Sequence, residues 1–270
     1  MTERYVALLL SPSNPSPRPL EAAKLLLRLS RKAARGEYIS SEGKSPYQLL
    51  GDLLDVVEAH AEQVGLGIEE LGSTDADEES ADANDPQQRQ NGNNLIRFAG
   101  PPTAVGTDGK PAPAYDEDED PNSPRRLDIE KIIRKDGLAV YKDQAGRLWT
   151  GLATYWIKRG EFDRAKETFE TGIASVLTIR DFTQIFDAYA EFSESVISGI
   201  MEELANPDEE DEDLDVKETE EELDAKMKVF EELMDRRPFL VNDVLLRRNP
   251  SDVQEWEKRV GLWGQDDEKV

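Results

Sequence analysis

Apolar residues along this chain recur at helical spacing, and no stretch sustains the period-two alternation of a half-buried strand. Arg147 to Ile173 carries the pattern most fully. Leu148, Trp149, Leu152, Tyr155 and Trp156 fall on one helical stripe, and Phe162, Ala165, Phe169 and Ile173 fall on a second. Gly160 lies between them, and glycine readily takes the left-handed conformation that closes a helix. Ala165 is small, which lets two helices approach. The spacing predicts an antiparallel helix pair with a very short turn.

The first stripe then returns. Ile185, Phe186, Tyr189 and Phe192 follow Leu148, Trp149, Leu152 and Tyr155 at a constant offset of 37 residues. Trp256, Val260 and Trp263 give a weaker third copy at i, i+4 and i+7. Helix pairs repeating at roughly 30–47 residues stack into solenoids. The predicted fold is therefore all-α, an α-α superhelix. Its repeat core is assigned to Leu148, Trp149, Leu152, Tyr155, Trp156, Gly160, Phe162, Ala165, Phe169, Ile185, Phe186, Tyr189, Phe192 and Trp256.

Three more helices are expected upstream. In Leu20–Arg35, Leu25, Leu26 and Leu29 share one face, while Lys24, Arg28, Arg31, Lys32 and Arg35 share another. That basic stripe is a candidate contact for an acidic protein or RNA. A solvated helix face is the plainer reading, because no aromatic is interleaved for base stacking. Leu49–Val57 spaces Leu50, Leu53, Leu54 and Val57 as a core face. Leu127–Tyr141 reads as a helix with Asp128 in its first turn, where negative charge suits the dipole.

Charge divides the chain further. The 270 residues hold 33 basic and 58 acidic side chains, a net charge of −25. That balance disfavours a dedicated nucleic-acid binder or a polybasic membrane anchor. The acids cluster at residues 73–85, 116–120 and 208–224. Residues 72–126 also hold seven of the fifteen prolines and few large aliphatic residues, so a disordered acidic, Pro-rich insertion is expected there. The predicted organisation is a helical segment at 1–71, that insertion at 72–126, repeats at 127–205, an acidic disordered loop at 206–221 and a helical, truncated repeat at 222–270. Ser11, Ser16, Ser45 and Ser123 each precede proline and are weak candidate phosphosites.

Site chemistry is mostly excluded. With no cysteine and a single histidine, His60, thiol nucleophiles, Cys-based metal sites and multi-His sites cannot be built. Gly43-Lys44-Ser45 suggests a phosphate loop, but the glycine that motif needs at position 38 is Tyr38. The tripeptide reads instead as a turn before a helix starting near Pro46. The acid-rich run at 208–220 lacks the central glycine of a calcium loop. No catalytic, cofactor-binding or metal-ligating residue is nominated, and the expectation is a protein that is not an enzyme. No apolar run approaches the ~18 residues of a membrane span. The run Tyr5–Leu10 is short for a signal peptide, and a soluble intracellular protein is expected.

The pairing of Trp149 with an aromatic six or seven residues on, followed by a helix with an alanine and an aromatic, resembles the HAT (half-a-TPR) repeat. The string from Val140 to Ser195 is similar to the Syf family of pre-mRNA-splicing factors, called XPA-binding protein in animals. Thr178-Ile179-Arg180-Asp181-Phe182-Thr183, Arg236–Val260 with its Leu245-Leu246-Arg247-Arg248-Asn249-Pro250 segment, and Gly43–Leu49 extend the likeness. It covers roughly 200 residues and points to the fungal form. The resemblance implies a nuclear, non-catalytic scaffold of the spliceosome's Prp19-associated complex. Its implied partners are spliceosomal proteins, including the crooked-neck-like HAT protein and Prp19-complex members, with snRNA nearby, no cofactor and no membrane. Family members are longer arrays, so this chain reads as a fragment cut within repeats. Met1–Leu10 would then be a helix missing its pair, and Trp256 and Trp263 would face solvent. Two rival readings remain at this stage: a TPR-like co-chaperone holding a terminal carboxylate, and an acidic histone-binding adaptor.

Overall fold

Pro19 opens and Gly36 closes the first long helix. Proline at the first helical position loses no hydrogen bond. Gly36 takes φ +76°, and its N–H and that of Glu37 donate to the Ala33 and Lys32 carbonyls at 3.0 and 2.9 Å, which satisfies the helix end. The computed structural model describes residues 2–11, 14–67, 120–205 and 216–264. Its helices are α1 (Thr2–Leu10), α2 (Pro19–Ala34), α3 (Pro46–Ala59) and the single turn α4 (Ala61–Val64). After the insertion come α5 (Ile129–Ile132, continued by a wide π turn over Ile133–Leu138), α6 (Gly146–Lys158), α7 (Phe162–Ser175), α8 (Ile179–Ala205), α9 (Val216–Arg248) and α10 (Val253–Trp263). They form two compact units, Met1–Leu49 with Glu62–Ile129, and Leu50–Ala61 with Glu130–Val270.

In the first unit α1 is paired, contrary to the expectation of a helix without a partner. Val6 and Leu9 are buried, and the Tyr5 hydroxyl donates to Glu21 of α2 at 2.7 Å. Glu3 is buried and accepts from the hydroxyls of Tyr38 at 2.9 Å and Ser41 at 2.7 Å. Hydrogen bonding, from Ser40 first of all, outweighs desolvation and holds the Glu3 carboxyl below its ordinary pKa.

The same unit holds both ends of the insertion. Leu66 donates its N–H to the Leu127 carbonyl at 2.9 Å, and Leu127 donates to the Val64 carbonyl at 2.8 Å, making an isolated parallel bridge. Residues 120–126, expected within the insertion, are placed here, and the Lys24 ammonium donates to the Ser123 carbonyl at 3.0 Å. The acidic runs 73–85, 116–119 and 208–215 lie outside the described residues. Because the anchors are local, replacing residues 68–119 by a short Gly/Ser linker is expected to leave the fold intact. Loop-closure entropy predicts a gain of roughly 1–2 kcal/mol. A urea midpoint that falls instead would mean that the insertion contributes packing of its own.

The second unit stacks α6 on α7, and α8 on α9. Its core cluster includes Trp149, Phe169, Phe182, Ile185, Phe186, Tyr189, Leu233 and Val244. Two expectations need correction here. The helix expected over Leu127–Tyr141 starts at Ile129 and widens into the π turn, while Leu127 sits in the bridge. Close approach accompanies the change: a Cβ on Gly137 would lie 3.0 Å from a Leu148 methyl and 3.1 Å from a Leu50 methyl. The loop expected to run to residue 221 is helical from Val216. Glutamate and lysine favour helix, and Lys217–Glu221 and Glu222–Lys226 pair at i, i+4.

Candidate functional site

Most residues of the repeat stripes are buried in the second unit. Leu148, Trp149, Leu152, Tyr155 and Trp156 of α6, Ala165 and Phe169 of α7, and Ile185, Phe186 and Tyr189 of α8 are all buried. Phe169 stacks on Tyr189 with ring centroids 5.1 Å apart and planes 11° apart. Phe192 is half-buried and touches the rings of Phe169 and Phe162 at 6.0 and 5.9 Å. Gly160 takes φ +75° between α6 and α7. The N–H groups of Gly160 and Glu161 donate to the Ile157 and Trp156 carbonyls, each at 3.0 Å.

Two assigned core residues stand elsewhere. Phe162 is 52% exposed. As the first residue of α7 it sits beside the turn, its ring 5.9 Å from that of Phe192 and tilted from it by 42°. Trp256 is 51% exposed, and its indole N–H donates to the Pro250 carbonyl at 2.9 Å. Helix α10 docks on α9 by a different face, through the buried Asn242, whose amide donates to the Glu255 backbone and carboxylate at 2.9 and 3.1 Å. Val253, Trp256 and Val260 of its stripe are therefore left outward, while the half-exposed Trp263 meets Phe239 of α9 edge-on, ring centroids 5.7 Å apart.

The pair α6–α7 touches α8 so closely that one glycine is required. A Cβ on Gly172 would meet the Trp149 ring at 3.0 Å and Ile185 at 3.3 Å. Gly172→Ala is expected to destabilise by about 1–3 kcal/mol through overpacking. An unchanged melting midpoint would show that Trp149 can shift, against its burial.

Polar side chains stitch the helices together, and composition gave no hint of most of them. Asp181, buried in the first turn of α8, accepts from the Gly146 N–H at the start of α6 at 3.1 Å and from the Thr178 hydroxyl at 2.7 Å. Thr178 in turn accepts from the Asp181 N–H at 3.1 Å, so Thr178-x-x-Asp181 is a readable capping signal. Arg247 of α9 donates to the Ile173 and Val176 carbonyls at the end of α7, where a cation also suits the helix dipole. Arg147 bonds Glu58 and Asp55 of α3. Burial disfavours its charge, but these two carboxylates outweigh burial and raise its pKa. Glu170 accepts from Arg236 at 2.7 Å and from Tyr189 at 3.3 Å. Burial, then the Glu170 charge, pushes the Tyr189 phenol far above its usual range.

The predicted basic stripe is broken. Lys24 is fully buried, its ammonium bonded to Ser123. Arg28, Arg31 and Lys32 are half-buried and Arg35 is exposed, with Arg35 3.2 Å from Glu37. Gly43-Lys44-Ser45 forms the turn before α3, and Ser45 and Gln48 exchange reciprocal bonds at 3.2 and 2.8 Å as a capping box. His60 is half-buried after α3. Among the described residues, no three His, Asp or Glu side chains group in a way that could hold a metal ion. No helix among them is long and apolar enough to cross a membrane.

Antiparallel helix pairs, stacked in series and sharing an aromatic stripe at a fixed offset, define an α-helical repeat protein. The repeat type follows from comparison: residues 116–270 match the family described as pre-mRNA-splicing factor SYF1 middle HAT repeat. The chain belongs to this SYF1 family. Over its whole length it is 47% identical to the pre-mRNA-splicing factor SYF1 of Mycosarcoma maydis, of which it spans 28%. The Neurospora crassa protein of that name is 56% identical across 53% of this chain and 17% of its own length. For the human protein the values are 45%, 53% and 16%.

Proposed function

We propose that this chain is a non-catalytic scaffold segment acting in pre-mRNA splicing in the nucleus, and that it works by binding proteins. The observation that carries the reading is the family match over residues 116–270, on a unit of stacked helix pairs. Its polar residues support binding rather than chemistry, since Asp181, Arg247 and Arg147 each join one helix to another. The co-chaperone alternative needs cations aimed into a groove. Arg159 and Arg164 instead lie over the Tyr155 and Trp156 rings.

In this reading the two stripes of α6 to α8 are the repeat core, and the segments flanking the acidic insertions supply the docking surfaces. The partners are spliceosomal proteins, among them the crooked-neck-like HAT protein and Prp19-complex members. A tagged chain incubated in nuclear extract, with and without RNase, tests this by mass spectrometry of what it retains. Recovery of those proteins after RNase is the expected result. Recovery of chaperones alone, or loss of every splicing protein with RNase, would overturn direct protein scaffolding by this segment.

A further inference from the structure

Helices α8 and α9 are far longer than α6 and α7, and the excess length forms an arm. The core cluster ends at Tyr189 on α8 and Leu233 on α9, with Phe192 half-buried beside it. Beyond it, no described side chain of residues 193–205 or 217–232 is fully buried. The pairing of the two helices is antiparallel and is fixed by Arg237, which bonds Asp187 at 3.5 Å and lies over Phe186. Counting outward from that pair at equal rise places Ile197 near Met227, and Met201 near Leu223. The arm beyond Phe192 is about 20 Å long.

Every methionine of the chain after Met1 lies on this arm or at its base. Met201, Met227 and Met234 are 48, 37 and 40% exposed. At about 100° per residue, Met201 lies roughly 70° round α8 from the half-buried line of Ile197, Ile200 and Leu204. Met227 and Met234 lie roughly 50–75° round α9 from the line of Leu223, Phe230 and Leu233, in the same rotational sense. In an antiparallel pair, equal-handed offsets open onto the same side of the seam. The three thioethers therefore share one face of the arm.

Charge frames that face. The same angles put Glu194 of α8, and Glu220, Asp224 and Glu231 of α9, along its edges, all exposed. Lys226 falls on the line of Leu223, Phe230 and Leu233 itself and pairs with Glu222 at 3.7 Å. Residues 190–205 hold four acids and no base, and residues 216–234 hold seven acids against three lysines. Methionine is flexible and polarisable, and it suits surfaces that accept varied apolar side chains. An apolar strip between two helices, rimmed by carboxylates, is complementary to a helix with one apolar face and lysine or arginine on its flanks.

We propose that the methionine face of the α8–α9 arm is a docking surface for a basic amphipathic helix of a partner protein. The proposal deepens the scaffold reading by naming a surface and the chemistry of its partner. Its test needs no spliceosomal component, so a failure here leaves the pull-down result standing, and the reverse also holds.

The probe is a fluorescent synthetic peptide of about 18 residues, with leucines at helical i, i+3, i+4, i+7 spacing and lysines elsewhere. A Leu/Glu peptide of the same pattern and a Leu/Lys peptide with scrambled leucines are the controls. The whole chain is expected to bind the patterned Leu/Lys peptide at about micromolar Kd, and both controls at least about tenfold more weakly. The triple variant Met201→Gln, Met227→Gln, Met234→Gln should lose about tenfold or more, with far-UV helicity and melting unchanged. The variant Glu194→Gln, Glu220→Gln, Asp224→Asn, Glu231→Gln should weaken binding and flatten its salt dependence. Equal binding by the methionine variant would reduce the effect to bulk charge and overturn the proposal. Absence of binding, or a dimer in sedimentation that the methionine variant dissolves, would overturn it too, the latter by naming a second copy as the occupant.

Discussion

Phe169→Ala is expected to lower the free energy of unfolding by about 3–5 kcal/mol, the range for deleting a buried phenylalanine side chain. Phe169 is 1% exposed, and α7 presents it to the stacked face of Tyr189 and to the tilted ring of Phe192. Truncation removes the apolar area and leaves a cavity that these rings cannot fill, because Tyr189 is tied to Glu170 by its hydroxyl. Phe162→Ala is the internal control. It removes the same atoms from a site already half in water, so the expected loss is about 1 kcal/mol or less. Urea denaturation of both variants at equal m-value separates them. Equal losses would mean that the stripe of α7 is not the seam between the two helix pairs.

The contrast between those two phenylalanines also shows what the chain's pattern encodes. A constant offset of 37 residues is legible because burial on one helix face imposes a 3.6-residue period, whatever the identity of the partner. Position along the helix is not encoded by that period. Phe162 and Trp256 keep the spacing of core residues, yet one stands at a helix start and the other on a face that α9 does not cover. Lys24 is illegible for a different reason. Its charge places it in a basic stripe, while its four-carbon stem lets it lie buried and reach the carbonyl of Ser123. Composition misled at residues 216–221, where acidity suggested a loop. The same glutamates are good helix formers, and two i, i+4 ion pairs support the start of α9. The methionine face was invisible in sequence because it needs two helices at a known register before its residues come together.

Asp181→Ala is expected to cost about 2–4 kcal/mol, although it removes only one small side chain. Asp181 is 4% exposed. Its loss strips the acceptor from two donors at once, the Gly146 N–H and the Thr178 hydroxyl, and a buried orphaned donor costs about 1–3 kcal/mol. The carboxylate also faces the N-terminus of α6, where the helix dipole favours negative charge. Asp181→Asn keeps the shape and one acceptor but loses the charge, so about half the cost should remain. Thr178→Val should likewise cost about 1 kcal/mol by removing the capping hydroxyl. Combining Thr178→Val with Asp181→Asn should give less than the sum, because the two side chains share one bond. Hydrogen exchange at the Gly146 amide locates the effect. If Asp181 joins the start of α8 to the start of α6, that amide loses protection in Asp181→Ala while amides at the centre of α7 exchange only with the global loss. Uniform deprotection of all three helices would assign Asp181 to general core stability and leave the join between successive helix pairs to the aromatic stripe alone.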